Sequence, residues 1–344
     1  MLINIWNTVY PILIAILCFE LIIVIHEGGH FVAARMNGIK VNEFSIGMGP
    51  KIIQFGKKDT KYTLRLFLIG GYCSMEGEDE ESNDENSFSK KAVWRRIIVV
   101  VAGAVMNLLL GLVLVLILVS SGNLVGTNTI AKFDDNAVSS QVLMPGDTIK
   151  SIDGMRVFTA GDVTTGLARS TDEKLNMVVL RNGEELTLDV PFNMQTIEEH
   201  EFIDMDFFLL GKPKTFANVI TTSFKEWVSI GRSVFLSLHD LIVGKFGVRD
   251  LSGPVGVVGA VSTAVKTNIR SVIRLIAMIT INVGVFNLFP IPALDGWRLF
   301  LLVFEGITKK KMPDKYEWAI NAVGLILLIG LMTLVTFSDI TKLF

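Results

Sequence analysis

Apolar residues run almost unbroken through four stretches of the chain, at about 8–31, 97–121, 269–289 and 318–337. Each approaches the roughly 20 residues that a helix needs to cross a hydrocarbon core, so the pattern predicts four transmembrane helices. The first stretch starts without a basic region and ends without a small-residue cleavage site, and it reads as a retained span, not a signal peptide. Between the second and third stretches the pattern changes. "MPGDTIKSIDGMRV" (144–157) and "VVLRNGEELTLDVP" (178–191) have short apolar runs separated by turn residues, the second built around Asn182-Gly183, and predict strands and a hairpin. Residues 215–246 predict an amphipathic helix near a membrane surface, because Lys225, Glu226, Arg232 and Asp240 interrupt its apolar positions.

Composition agrees with a membrane protein that carries some soluble mass. Half of the 344 residues are hydrophobic and 19% are charged, against about a quarter charged in ordinary soluble domains. The mean hydropathy is +0.51. A net charge of −2 argues against a broad basic surface and so against nucleic acid as a partner. Cys18 and Cys73 do not suggest a disulfide framework.

Lysine and arginine set the orientation. The segment from Arg35 to Arg96 is rich in them, and Lys309, Lys310, Lys311 and Lys315 lie between the third and fourth spans. Both segments are expected in the cytoplasm, which places both termini and residues 122–267 outside.

The first span carries an unusual set of side chains, "HEGGH", at 26–30. His26 and His30 are four apart, one turn along the same face of a helix. Two imidazoles at this spacing can chelate a zinc ion, and Glu27 beside them can take a proton from the attacking water. Ionisable groups are costly inside a span and usually mark function. Gly28 and Gly29 are expected to permit close backbone approach. Hydrolytic zinc wants three protein ligands, and the acids in apolar context are Glu20, Asp295 and Glu305. Glu20 is two turns from Glu27, too far to reach the ion, and reads as an acid near a watery vestibule. Asp295 follows Pro290 and Pro292, which break the helix; freed backbone at membrane depth is tolerated only around a protein-lined or wet cavity.

Three features now stand together: HEGGH in the first span, "NLFPIPALDG" (287–296) near the end of the third, and a β module between them. That module resembles the PDZ domains of bacterial proteases, with Ala137 preceding "MPGDTIKSIDGMRV". The chain as a whole is similar to the site-2 protease family of intramembrane zinc metalloproteases, in its bacterial regulator of sigma-E protease group. The resemblance implies His26, His30 and Asp295 as zinc ligands, Glu27 as catalytic base, and Asn287 as a residue holding substrate backbone. "FSIGMGPKI" (44–52) and "GGYCSMEGE" (70–78) resemble the family's membrane re-entrant β-hairpin, and "LSGPVGV" (251–257) another recurrent stretch. Ala104 stands where the family often has proline, Trp297 where a small residue is common, and one PDZ module is apparent instead of two; Asn107 is kept.

The resulting expectation is an α-helical polytopic membrane protein with a re-entrant hairpin and one inserted PDZ domain. Residues 1–121 hold the first two spans, 127–192 the PDZ domain, 193–267 an extracytoplasmic amphipathic linker, and 268–344 the last two spans. His26 lies roughly 25 Å along its span at 1.5 Å per residue, which puts the metal toward the cytoplasmic side. The implied partners are the lipid bilayer, single-pass membrane proteins as substrates, and an upstream site-1 protease. The acidic run 76–86 reads as a solvated loop. The competing functions are a non-catalytic PDZ membrane scaffold, which has no use for the histidine–carboxylate set, and a transporter, which predicts internal repeats that the chain lacks.

Overall fold

The computed structural model describes residues 2–56, 60–78, 82–170, 172–197, 200–244, 247 and 251–342. Part of the acidic run, 79–81, lies outside the described residues. In chain order the elements are α1 (Leu2–Met36), β1 (Val41–Phe55), β2 (Lys61–Met75), α2 (Val93–Ser121), β3 (Leu124–Phe133), β4 (Thr148–Ile152) and β5 (Met155–Arg156). There follow α3 (Ala160–Ala168), β6 (Lys174–Arg181), β7 (Glu184–Pro191), β8 (Met194–Ile197), β9 (His200–Ile203), β10 (Phe207–Pro213) and α4 (Phe216–Ile242). The chain ends with α5 (Pro254–Thr267), α6 (Ile269–Phe286), α7 (Asp295–Thr308) and α8 (Asp314–Thr341). Two compact units form, one from Met1–Leu114 with Leu236–Phe344 and one from Val115–Phe235.

Among the described residues, four helices are long and apolar enough to cross a membrane: Val9–Met36, Val93–Ser121, Ile269–Phe286 and Lys315–Thr341. The first runs five residues past its expected end, so the HEGGH residues lie inside a helix and not at its rim. Its true stop is Asn37-Gly38, where Gly38 takes φ +69° and the Ile39 amide bonds back to the Ala34 carbonyl at 2.9 Å, a glycine C-terminal cap. The polarity pattern did not anticipate α7. Pro290 and Pro292 end α6, and the chain restarts as a helix at Asp295. Nor did it anticipate α5, which Pro254 opens at a first-turn position where its missing N–H costs nothing. Asp339 of α8 accepts the Gly256 amide at 2.8 Å and so caps α5 from another helix.

β1 and β2 are each 15 residues long and bend at glycines with positive φ, Gly47 and Gly49 in the first and Gly70 in the second. Phe44–Ile46 consequently pairs with Gly71–Cys73 on one side and with Tyr62–Leu64 on the other, while Ile53–Phe55 also pairs with Tyr62–Leu64. Residues 71–73 thus form one edge. Arg65 fixes the bend by bonding Ser45, the Gly49 carbonyl, Glu43 and Tyr72. A core of Ala34, Ile39, Val41, Met75, Val99 and Leu302 joins the base of this hairpin to α1, α2 and α7.

The second unit is a sheet in the order β10-β3-β4-β6-β7, with β5 paired to β4 and β8–β9 as a separate hairpin. Asn182 and Gly183, at φ +54° and +91°, make the β6–β7 turn, the left-handed pair that a two-residue hairpin needs. The sheet recruits β10 beyond residue 192, antiparallel to β3.

Candidate metal centre

His26 and His30 project from one face of α1 and are both buried. Their Nε2 atoms are 3.2 Å apart. Asp295, the first residue of α7, brings Oδ2 to 3.0 Å from His26 Nε2 and 3.2 Å from His30 Nε2. Three donor atoms from two distant segments therefore form a nearly equilateral triangle. Tetrahedral bonds of about 2.0–2.1 Å set neighbouring donors about 3.3 Å apart, so this triangle matches one face of a zinc tetrahedron. Asp295 Oδ2 is buried without a hydrogen-bond partner, as a metal-seeking oxygen would be. The donor set fits zinc.

Neighbouring groups orient the rings. His30 Nδ1 lies 2.9 Å from the Val99 carbonyl of α2. A carbonyl can only accept, so Nδ1 carries the proton and Nε2 presents its lone pair. His26 Nδ1 lies 3.3 Å from the Asn107 amide nitrogen, while Asn107 Oδ1 is buried without a partner. Turning that amide end for end satisfies Oδ1 with the His26 Nδ1 proton and frees His26 Nε2 in the same way. A Cβ on Gly103 would meet both imidazoles, and one on Gly29 would meet the Ala102 backbone. α1 and α2 come this close because both positions are glycine. Gly28 differs from expectation: nothing lies within 4 Å of where its Cβ would be, and it takes no part in the approach. Gly296 is required for a separate reason, since its Cβ would strike the Phe289 carbonyl.

Glu27 sits beside this triangle against the hairpin edge. The Cys73 backbone amide bonds to it, and both histidines and Asp295 lie within its electrostatic reach. Glu20, one of the three acids considered as a third ligand, is buried and accepts the Gly47 amide at 2.9 Å, with the Gly70 amide facing it. It fastens the hairpin bends to α1 and is not a vestibule acid. Glu305 takes two bonds from Arg96 at 2.6 and 3.1 Å. Asn287 ends α6 with helical backbone, and among the described residues its side chain has no hydrogen-bond partner; the structure does not join it to the triangle. Trp297 stacks on Phe300, ring centroids 5.6 Å apart.

Asn107 and Gly103 carry weight that the pattern of the chain did not assign to them. Asn107 was noticed only as a residue kept in the family pattern, and Gly103 was one of several small residues in the span.

Before Asp295 the chain is irregular. Ala293 takes φ +72°, and its amide bonds to Asn321 of α8 at 3.2 Å. Beside it lies a cavity of about 470 Å³, lined by Leu294, Asp295, Arg298, Trp318 and Asn321 among others.

Two buried histidines and a half-buried aspartate converge among apolar helices with a glutamate alongside, a donor set that suits a zinc metallopeptidase. Residues 14–331 match the model of peptidase family M50, and the chain belongs to that family, the site-2 proteases. It is an intramembrane zinc metalloprotease of multi-pass architecture. A Clostridium acetobutylicum protein assigned as a zinc metalloprotease is 36% identical over 334 residues, covering 96% of this chain and 97% of its own. The zinc metalloprotease RasP of Shouchella clausii is 29% identical over 414 residues, with 95% and 97% covered. The regulator of sigma-W protease RasP of Bacillus subtilis is 27% identical over 415 residues, with 96% and 98% covered.

Proposed function

We propose that this protease hydrolyses peptide bonds within or near the transmembrane segment of single-pass membrane proteins, in regulated intramembrane proteolysis of anti-sigma factors or in removal of remnant signal peptides. The observation that carries the reading is the triangle of His26, His30 and Asp295 donors inside apolar helices. These three residues would hold the zinc. When bound there, zinc polarises the scissile carbonyl and makes water acidic enough to be deprotonated near neutral pH. Glu27 takes the proton from the attacking water and returns it to the leaving amine.

A helical substrate hides its peptide bonds and must unwind to be cut. The sheet edge at 71–73 lies adjacent to Glu27 and can hold the unwound segment as an added strand. Asn287 is assigned to the substrate backbone on family resemblance. Beyond its bends the hairpin exposes Met48, Ile52, Phe55, Phe67 and Ile69, an apolar surface that suits a re-entrant element in lipid. The second unit acts as a PDZ domain outside the membrane, selecting substrates after a site-1 protease has trimmed them. Termini outside and a metal site toward the cytoplasm follow from the basic segments around 35–96 and 309–315.

The test separates ligand from base. Replacing His26, His30 or Asp295 by alanine should empty the site in detergent-purified protein. Glu27→Gln keeps the shape, cannot accept the proton, and should retain zinc while cleavage of a tagged single-span substrate falls by at least about 10²–10⁴. Normal cleavage by Glu27→Gln refutes the mechanism, and full zinc in Asp295→Ala refutes the ligand assignment.

A further inference from the structure

Asp295, Arg298, Leu302 and Glu305 recur at intervals of three and four along α7 and share one face. Each reaches a different part of the first unit. Asp295 meets the two histidines of α1. One turn on, Arg298 pairs with Glu78, three residues past the end of β2. Leu302 enters the core with Ala34, Ile39, Met75 and Val99. Glu305 closes the face with its two bonds to Arg96 at the start of α2.

The position of Asp295 explains why such fastening matters. It is the first residue of its helix, after a Pro-Ile-Pro segment and an alanine at positive φ, and Leu294 supplies no side-chain cap. Upstream of the carboxylate the irregular chain is held by the Ala293 amide on Asn321 and by Pro292 packed against Gly324. With no regular helix before it, its orientation is also set from downstream, through the rigid helix that follows. Arg298 is the nearest polar fastening on that helix, and its partner belongs to the segment that continues the hairpin edge strand 71–75 beside Glu27.

We propose that the Glu78–Arg298 ion pair is a brace that sets the position of Asp295 and ties it to the hairpin. Arg298 and Glu78 are positioning residues for the metal ligand, and strand edge and metal donor are held in register by one charge pair. Arg96–Glu305 anchors the far end of the same helix. The inference rests on the reading of Asp295 as a zinc ligand, and its test must separate the two.

The test compares Arg298→Gln, Glu78→Gln, the double Gln variant, the charge exchange Glu78→Arg with Arg298→Glu, and Asp295→Asn. Zinc content and the rate of zinc release to a chelator are measured on the full-length protein in detergent, with thermal unfolding alongside. Support for a residue that orients a metal ligand typically shows as a 10- to 100-fold effect, so both single variants should release zinc roughly 10–100-fold faster than wild type. The double Gln variant should be no worse than either single one, because the brace is already broken. The charge exchange should return release to within a few-fold of wild type. High salt should accelerate release from wild type and not from the Gln variants, since the pair is partly solvent-accessible. Should Arg298→Gln fail to fold, Glu78→Gln breaks the same pair from the other side and decides the question alone. Wild-type release from the single variants, or no recovery in the exchange, overturns the brace. If Asp295→Asn itself keeps zinc, the ligand reading falls and the brace falls with it; if it empties while Arg298→Gln and Glu78→Gln hold zinc normally, only the brace is wrong.

Discussion

His30 Nδ1 and the Val99 carbonyl stand 2.9 Å apart, an imidazole of α1 joined to the backbone of α2. That bond exists because Gly103, one turn along α2 from Val99, leaves room for both rings. Gly103→Ala adds one carbon where the imidazoles already sit. The expected outcome is protein that still inserts with four spans but purifies with little zinc and no cleavage activity. Metal content by plasma mass spectrometry checks it, and normal zinc loading in this variant would contradict the close α1–α2 packing.

Asn107 acts on the other ring. It is fully buried, and its amide faces His26 Nδ1 at 3.3 Å. Asn107→Leu retains the volume and removes the acceptor that fixes the tautomer. Zinc affinity should fall roughly 10- to 100-fold. Competition with a chelator of known affinity measures this directly; an unchanged affinity would show that His26 needs no partner.

Glu20 separates the hairpin from the metal. Its carboxylate holds the Gly47 amide two turns before Glu27 on α1, and it touches no donor of the triangle. Glu20→Leu should therefore retain zinc while substrate cleavage drops, through a higher KM because the strand edge is no longer fixed. Glu20→Gln keeps an acceptor oxygen and should recover most of the activity. Loss of zinc in Glu20→Leu would mean that the hairpin clamp also supports the metal.

The parts of the fold legible in the sequence were those whose signal is local. Continuous apolar runs marked the spans, and Asn182-Gly183 marked a hairpin. HEGGH showed two donors because four-residue spacing becomes one face of a helix. The third donor was different. Helix spacing set Glu20 aside and the family resemblance pointed to Asp295, but the packing of α7 against α1 and α2 shows what each acid does: Glu20 takes a backbone amide, Glu305 takes Arg96, and Asp295 reaches the histidines. α7 itself was hidden because its charged residues are spent on partners as far away as Glu78 and Arg96. The folded course of β1 and β2 depends on glycines whose φ values no pattern of polarity records.

The orientation proposed from basic residues has a direct readout. Alkaline phosphatase is active only outside the cytoplasm, so a fusion near residue 85 should be inactive and one near residue 200 active. The reverse pattern would place the metal site on the wrong side of the membrane for the substrates proposed.

Asp162 makes the second unit independently testable. It is buried at the start of α3, where its carboxylate accepts the Phe158 and Thr159 amides at 2.8 and 3.1 Å and completes a capping box with Thr159. The same carboxylate receives Ser229 and Arg232 from α4, with Arg232 at 2.5 Å and also over the Phe158 ring. One side chain thus caps α3 and docks α4 on it. Asp162→Ala removes the cap of α3, a loss that typically costs about 1 kcal/mol, and takes away the carboxylate partner of the partly exposed Arg232. Hydrogen exchange should accelerate through residues 158–168 and 224–233, whereas amides around His26, His30 and Asp295 and the zinc content stay as in wild type. Cleavage of a substrate already trimmed outside the membrane should persist, and discrimination against the untrimmed form should weaken. If Asp162→Ala abolishes cleavage of the trimmed substrate with zinc still bound, the second unit takes part in the hydrolytic step itself and is more than a selector.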